Sequence, residues 1–207
     1  MATTAREQGA GFGDPTAVSR EARLTTDWGT VKKEDPSVFV AKLLQKRGFE
    51  IELLPTPADY FASVTIRPSS AEAQEAFSRI CDTLEMRVLQ QAVNPEHWGL
   101  NQPDFNGITT PILQDPETQK RLKALHLDNV ASYWDRKADE DIREHHGTRW
   151  QNGLSKRNNA EFERDRLLNE GKRTLPSQQE VEDWIQVVVD TKLPQSEPAT
   201  VTPVAAV

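Results

Sequence analysis

Residues 35–95 read DPSVFVAKLLQKRGFEIELLPTPADYFASVTIRPSSAEAQEAFSRICDTLEMRVLQQAVNP, and the change of apolar spacing along them decides the fold. Asp35 suits a helix N-cap and Pro36 the first helical position, ahead of the apolar stretch Val38, Val40, Ala41, Leu43 and Leu44. Lys46 and Arg47 complement the negative end of that helix, and Gly48 stops it, so the spacing predicts a helix over 36–47. FEIELL and YFASVTIR are enriched in aromatic and β-branched residues and flank the turn residues PTPAD, which predicts a β-hairpin of 49–54 with 60–67. Ser69-Ser70-Ala71-Glu72 has the spacing of a capping box. Ala73, Ala76, Phe77, Ile80, Cys81, Leu84, Val88 and Leu89 then recur at helical intervals, predicting one helix over 70–93.

Outward from this αββα unit, residues 94–114 carry prolines at 95, 103 and 111 and the Asn106-Gly107 turn pair, without periodicity. They read as an irregular loop. Its Trp98, Leu100, Phe105, Ile108, Ile112 and Leu113 are costly to leave in water, so the loop is expected to lie across its own helices or a partner. Asp115-Pro116-Glu117 repeats the Asp-Pro helix start, and Asp128-Asn129 reads as a break before another helix. Val130, Trp134, Ala138, Ile142, His146, Trp150, Leu154 and Phe162 follow spacings of mostly four, interrupted by Gly147 and Gly153. Both one long helix and a hairpin bent at Gly147 satisfy that pattern. Ser177-Gln-Gln-Glu180 is another capping box, opening a last helix with Val181, Trp184, Ile185 and Val188 on one side.

The whole chain is polar for its length. Leu, Ile, Val and Phe supply 46 of 207 residues, little above the level of about 20% below which a charged chain is expected to be disordered. The fold class expected is therefore mainly α with one small β-hairpin (α+β). The division is an N-terminal arm 1–34, the αββα unit 35–93, the loop 94–114, a C-terminal helical region 115–193 and a C-terminal tail 194–207. Both arms are rich in residues that do not pack, the second being PQSEPATVTPVAAV.

Several classes are disfavoured. No stretch approaches the length of a membrane span and the N-terminal residues contain no apolar run, so a soluble protein without membrane partners is expected, cytoplasmic or, if viral, in a virion. A formal net charge of −7 opposes binding of a nucleic-acid duplex by the chain as a whole. The single cysteine, Cys81, excludes an internal disulfide framework, and its place on an apolar helix face makes it a structural residue. No phosphate-cradling glycine loop or nucleophile motif occurs, so no catalytic residues are assigned and no enzyme is expected. Asp135, Asp139, Glu140, Asp141, Glu144, His145 and His146 lie within a few turns of one another. Arg136, Lys137 and Arg143 share those turns, so a solvated charged helix face is the preferred reading, with no metal and no cofactor.

In LLQKRGFEIEL, YFASVTI and SSAEAQEAF the order helix, two strands, helix resembles a much-shortened double-stranded-RNA-binding domain, over less than a third of the chain. That family has a third strand before the last helix and a lysine-rich start to that helix, which contacts phosphate. Here Ser69-Ser70-Ala71-Glu72 stands in that position without a cation, and no third strand is read there.

The leading expectation is a non-enzymatic structural or assembly protein, such as a virion or other shell component, lacing copies of itself or other subunits together through its arms and loop. Trp28, Trp98, Phe105, Ile108 and Ile112 are its interface candidates, because bulky apolar groups in segments with little regular structure need a surface to cover them. The alternative is a nucleic-acid-associated module using Arg149, Trp150, Lys156 and Arg157, where spaced cations meet phosphate and an aromatic ring stacks on an unpaired base.

Overall fold

The computed structural model describes residues 29–55, 63–169 and 173–193. The protein is mainly α with one small antiparallel sheet, as the sequence leads one to expect. Trp28, most of the N-terminal arm, the centre of the predicted hairpin turn and the C-terminal tail lie outside the described residues.

Strand β1 (Gly29–Lys32) precedes helix α1 (Pro36–Lys46), and β2 (Ile51–Pro55) and β3 (Ser63–Pro68) follow. The sheet order is β1-β3-β2, with both neighbours antiparallel to β3. Along the central strand, Val64, Ile66 and Pro68 are buried while Thr65 and Arg67 are less so, the period-two pattern of a sheet with one covered face. Two expectations are corrected here. Residues 29–32, expected to belong to the N-terminal arm, form a strand, with Val31 paired to Val64 and buried. The sheet has a third strand, but it precedes α1 instead of following β3, so the connectivity departs from the double-stranded-RNA-binding pattern.

The helix expected over 70–93 is two helices, α2 (Ala71–Cys81) and α3 (Leu84–Val93). Thr83 makes the break: its hydroxyl donates to the Ile80 carbonyl at 2.7 Å and accepts from Met86 N at 3.2 Å, ending one helix and capping the next. Apolar spacing runs unbroken through this joint, which is why periodicity alone hides it.

The 94–114 connection contains two helical turns, α4 (Pro95–Trp98) and α5 (Pro111–Gln114). It leads to α6 (Pro116–Arg143), then α7 (Arg149–Asn169) and α8 (Gln178–Lys192). No break occurs at Asp128-Asn129. Those side chains serve tertiary partners instead: Asp128 accepts from Arg164 at 2.6 Å, and Asn129 donates to the Ala92 carbonyl at 2.9 Å. The hairpin alternative holds, with His145 and Gly147 both at positive φ in the turn.

One core joins the sheet, α1, α2, α3, α8 and the first half of α6, with Leu44, Ile66, Phe77 and Leu89 fully inaccessible at its centre. Buried polar joints fasten its edges. The Asp35 carboxylate, the N-cap of α1, accepts from Ser37 N at 2.9 Å, Asn94 Nδ2 at 3.1 Å and Trp98 Nε1 at 2.8 Å. Buried Glu85 accepts from Thr109 N at 3.0 Å, Thr109 Oγ1 at 2.8 Å and Lys192 Nζ at 3.1 Å, tying the loop to α3 and the end of α8. Burial alone would raise the Glu85 pKa, but these hydrogen bonds outweigh it and hold the group down to about 2.

Candidate interaction surface on the helical hairpin

Beyond the core, α6 and α7 form an antiparallel pair, and α7 packs substantially on α6 alone. Their register is fixed by three rungs: Ala138 against Gly153, Asp135 against Arg157, and Asp128 against Arg164. On the α7 side the buried residues of the seam are small, Gly153 and Ala160. A Cβ at Gly153 would stand 3.2 Å from the Ala138 Cβ and 3.3 Å from the Trp134 carbonyl oxygen, so any other residue here must push the seam apart by a few tenths of an ångström. Leu127, Val130, Ala131 and Ala160 form the seam's buried cluster, with Trp134, Leu167 and Leu100 of the connecting loop partly buried against it.

Ala160 faces α6, and Phe162, two residues on, is turned about 200° around the helix. Its side chain is 71% exposed. The four-residue spacing read from the sequence placed Phe162 on the packed stripe; the small residues Gly153 and Ala160 carry the seam instead. Around Phe162 the exposed residues Ser155, Asn158, Asn159, Asp165, Arg166 and Asn169 complete an outer face that is polar and electrically balanced.

The candidate nucleic-acid residues lie on this hairpin but are largely committed within it. Arg157 Nη1 donates to Asp135 at 2.7 Å, and Lys156 Nζ sits 3.9 Å from the centre of the Trp134 ring. Arg164 pairs with Asp128 and Asp165, and Arg173 with Glu117. Arg149 is exposed and Trp150 is half-buried. In the acidic cluster Lys137 holds Glu140 at 2.6 Å and His146 Nδ1 lies 3.2 Å from Asp141. Among the described residues no three His, Cys, Asp or Glu side chains are grouped to hold a metal ion.

The loop candidates are placed differently from the interface expected of them. Ile108 is 5% exposed and belongs to the main core, with Phe105 packed against it beneath Lys123. Trp98 is half-buried and anchored to Asp35. The loop thus lies across the protein's own helices, and among its interface candidates only Ile112, 39% exposed, points outward. Cys81 is buried, and burial pushes its thiol well above the ordinary range, as suits a structural residue.

No helix among the described residues is long and apolar enough to cross a membrane. No family model, curated protein or solved structure matches this chain.

Proposed function

We propose that the protein is a non-enzymatic assembly component that pairs with a second copy of itself through the outer face of α7. The observation that carries this reading is Phe162, a large apolar side chain 71% exposed at the middle of a helix whose other side is already packed. Burying a phenylalanine contributes about 1.5–3 kcal/mol, so leaving it in water costs stability that a partner recovers.

The occupant follows from the pattern on either side. If two α7 helices lie antiparallel about a two-fold axis at Phe162, Asn158 faces Arg166, Asn159 faces Asp165 and Ser155 faces Asn169, while Glu161 and Glu163 lie at the flanks, about 100° around the helix from Phe162. The two rings meet on the axis. A face of this kind is self-complementary although the chain as a whole carries −7. The ion pairs inside the hairpin leave few cations for phosphate, which weighs against the nucleic-acid reading.

Sedimentation velocity tests it. The wild-type protein is expected to pass from monomer to dimer over roughly 10–200 µM, the range suited to one small apolar patch. Phe162→Asp should stay monomeric with unchanged helix content. A monomer throughout that range, or a dimer indifferent to Phe162→Asp, would overturn the proposal.

A further inference from the structure

Asparagine precedes glycine twice in the chain, at Asn106-Gly107 and at Asn152-Gly153. The pairing matters chemically because glycine has no Cβ, so its backbone nitrogen can approach the side-chain carbonyl carbon of the preceding asparagine without a steric barrier. Whether that approach occurs depends on what holds the glycine N–H and the asparagine amide.

The fold treats the two pairs in opposite ways. Gly153 lies within α7, buried against Ala138, and helical geometry commits its N–H to the carbonyl four residues earlier. Attack on Asn152 would require that turn to open. Asn106 and Gly107 are instead both exposed, in the turn between α4 and α5, and Gly107 has a φ of 80°. Asn106 N donates to Asp104 Oδ1 at 3.0 Å, which holds the residue in place. Among the described residues nothing bonds the Asn106 side-chain amide or the Gly107 N–H.

We propose that Asn106 is a site of spontaneous covalent modification, deamidation through a cyclic imide, that the fold protects Asn152 from the same reaction, and that the isoaspartate product loosens the loop from Glu85. The Gly107 nitrogen, giving up its proton to solvent, attacks Asn106 Cγ. The N–Cγ bond forms, the Cγ–Nδ2 bond breaks, and ammonia leaves with a proton returned from solvent. Water then opens the imide, giving aspartate by cleavage on the side-chain side or isoaspartate by cleavage on the backbone side. The net change is a water gained and an ammonia lost, with no oxidant or reductant. Isoaspartate adds a methylene to the backbone just ahead of Gly107, where a Cβ would already stand 3.0 Å from Leu84 Cδ1. Beyond it, Ile108 is fixed in the core and Thr109 N donates to Glu85 at 3.0 Å, so the added length works against that joint.

Incubation of the full chain at neutral pH, followed by peptide mass mapping over time, tests this. In the folded protein Asn106 should deamidate at least about tenfold faster than Asn152, which must wait for local opening of α7. In denaturing guanidinium chloride the two rates should converge, because both asparagines precede glycine and the fold no longer separates them. In the aged fraction carrying isoaspartate at 106, amide exchange at Thr109 should quicken relative to fresh protein. Equal rates at the two sites in the folded protein, a difference that persists in denaturant, or unaltered exchange at Thr109 would each overturn the proposal.

Discussion

The sheet-centred core and the helical hairpin solve the same packing problem with different materials. In the core, Leu44, Ile66, Phe77 and Leu89 are shielded on every side, and buried carboxylates fasten the loops around them. In the hairpin, glycine and alanine bring two helices close, and the longer side chains pair by charge along the flanks. The core takes up most of its apolar residues, including Ile108 and Leu113 of the long connection, and leaves Leu84, Ile112 and Val187 partly exposed. The hairpin leaves two on the outside, Ile142 near the end of α6 and Phe162, at 71% the most exposed large apolar side chain among the described residues. A region held by a narrow seam keeps a whole helix face available, and this is the physical reason for proposing the interaction surface there.

Substitutions should separate the two regions by size of effect. Phe77→Ala, which empties the centre of the core, is expected to cost about 3–5 kcal/mol in urea unfolding. Glu85→Gln should cost about 1–3 kcal/mol by weakening the joint to Thr109 and Lys192. It should also change the acid response. With the Glu85 pKa held near 2 in the folded state, its stabilisation is fully present above the ordinary carboxyl value and is lost as pH falls through 2. Urea midpoints from pH 5 downward should therefore decline less steeply in Glu85→Gln than in the wild type; parallel profiles would dismiss that role.

In the hairpin, Gly153→Leu forces a side chain into the seam, at a cost of about 1–3 kcal/mol. Amide exchange should quicken over 131–160 while residues 71–93 keep their protection. Equal loss in both regions would mean that the hairpin and core unfold as one unit. Smallest of all, Arg157→Ala removes a solvent-screened pair with Asp135 and should leave the urea midpoint almost unchanged.

Much of the core was legible because local chemistry and tertiary structure agree there. Asp35 caps α1 and Ser177 with Glu180 forms the capping box that opens α8, as their spacing indicates. Strand β1 was not legible: GTVK offers a single apolar residue, and only its pairing with β3 makes it a strand. Asp128 and Asn129 look like a helix stop until Arg164 and the Ala92 carbonyl engage them, both remote in sequence. The outward face of Phe162 was hidden for a related reason. A four-residue rhythm favours large residues for the packed side, whereas the α7 side of this seam is buried through small ones, Gly153 and Ala160. The commitment of Ile108 to the core likewise depends on contacts that no local pattern records.

The most direct test of the hairpin's role is a pair of intermolecular spin-label distances. Cys81 is buried, so labels can be directed to Asn159→Cys and, separately, Gln151→Cys on the exposed side of α7. An antiparallel pair centred on Phe162 predicts a short separation at 159 and a longer one at 151, growing by about 3 Å for each residue moved from the axis, twice the helical rise. Equal separations at the two positions, or no intermolecular distance at either, would contradict the account.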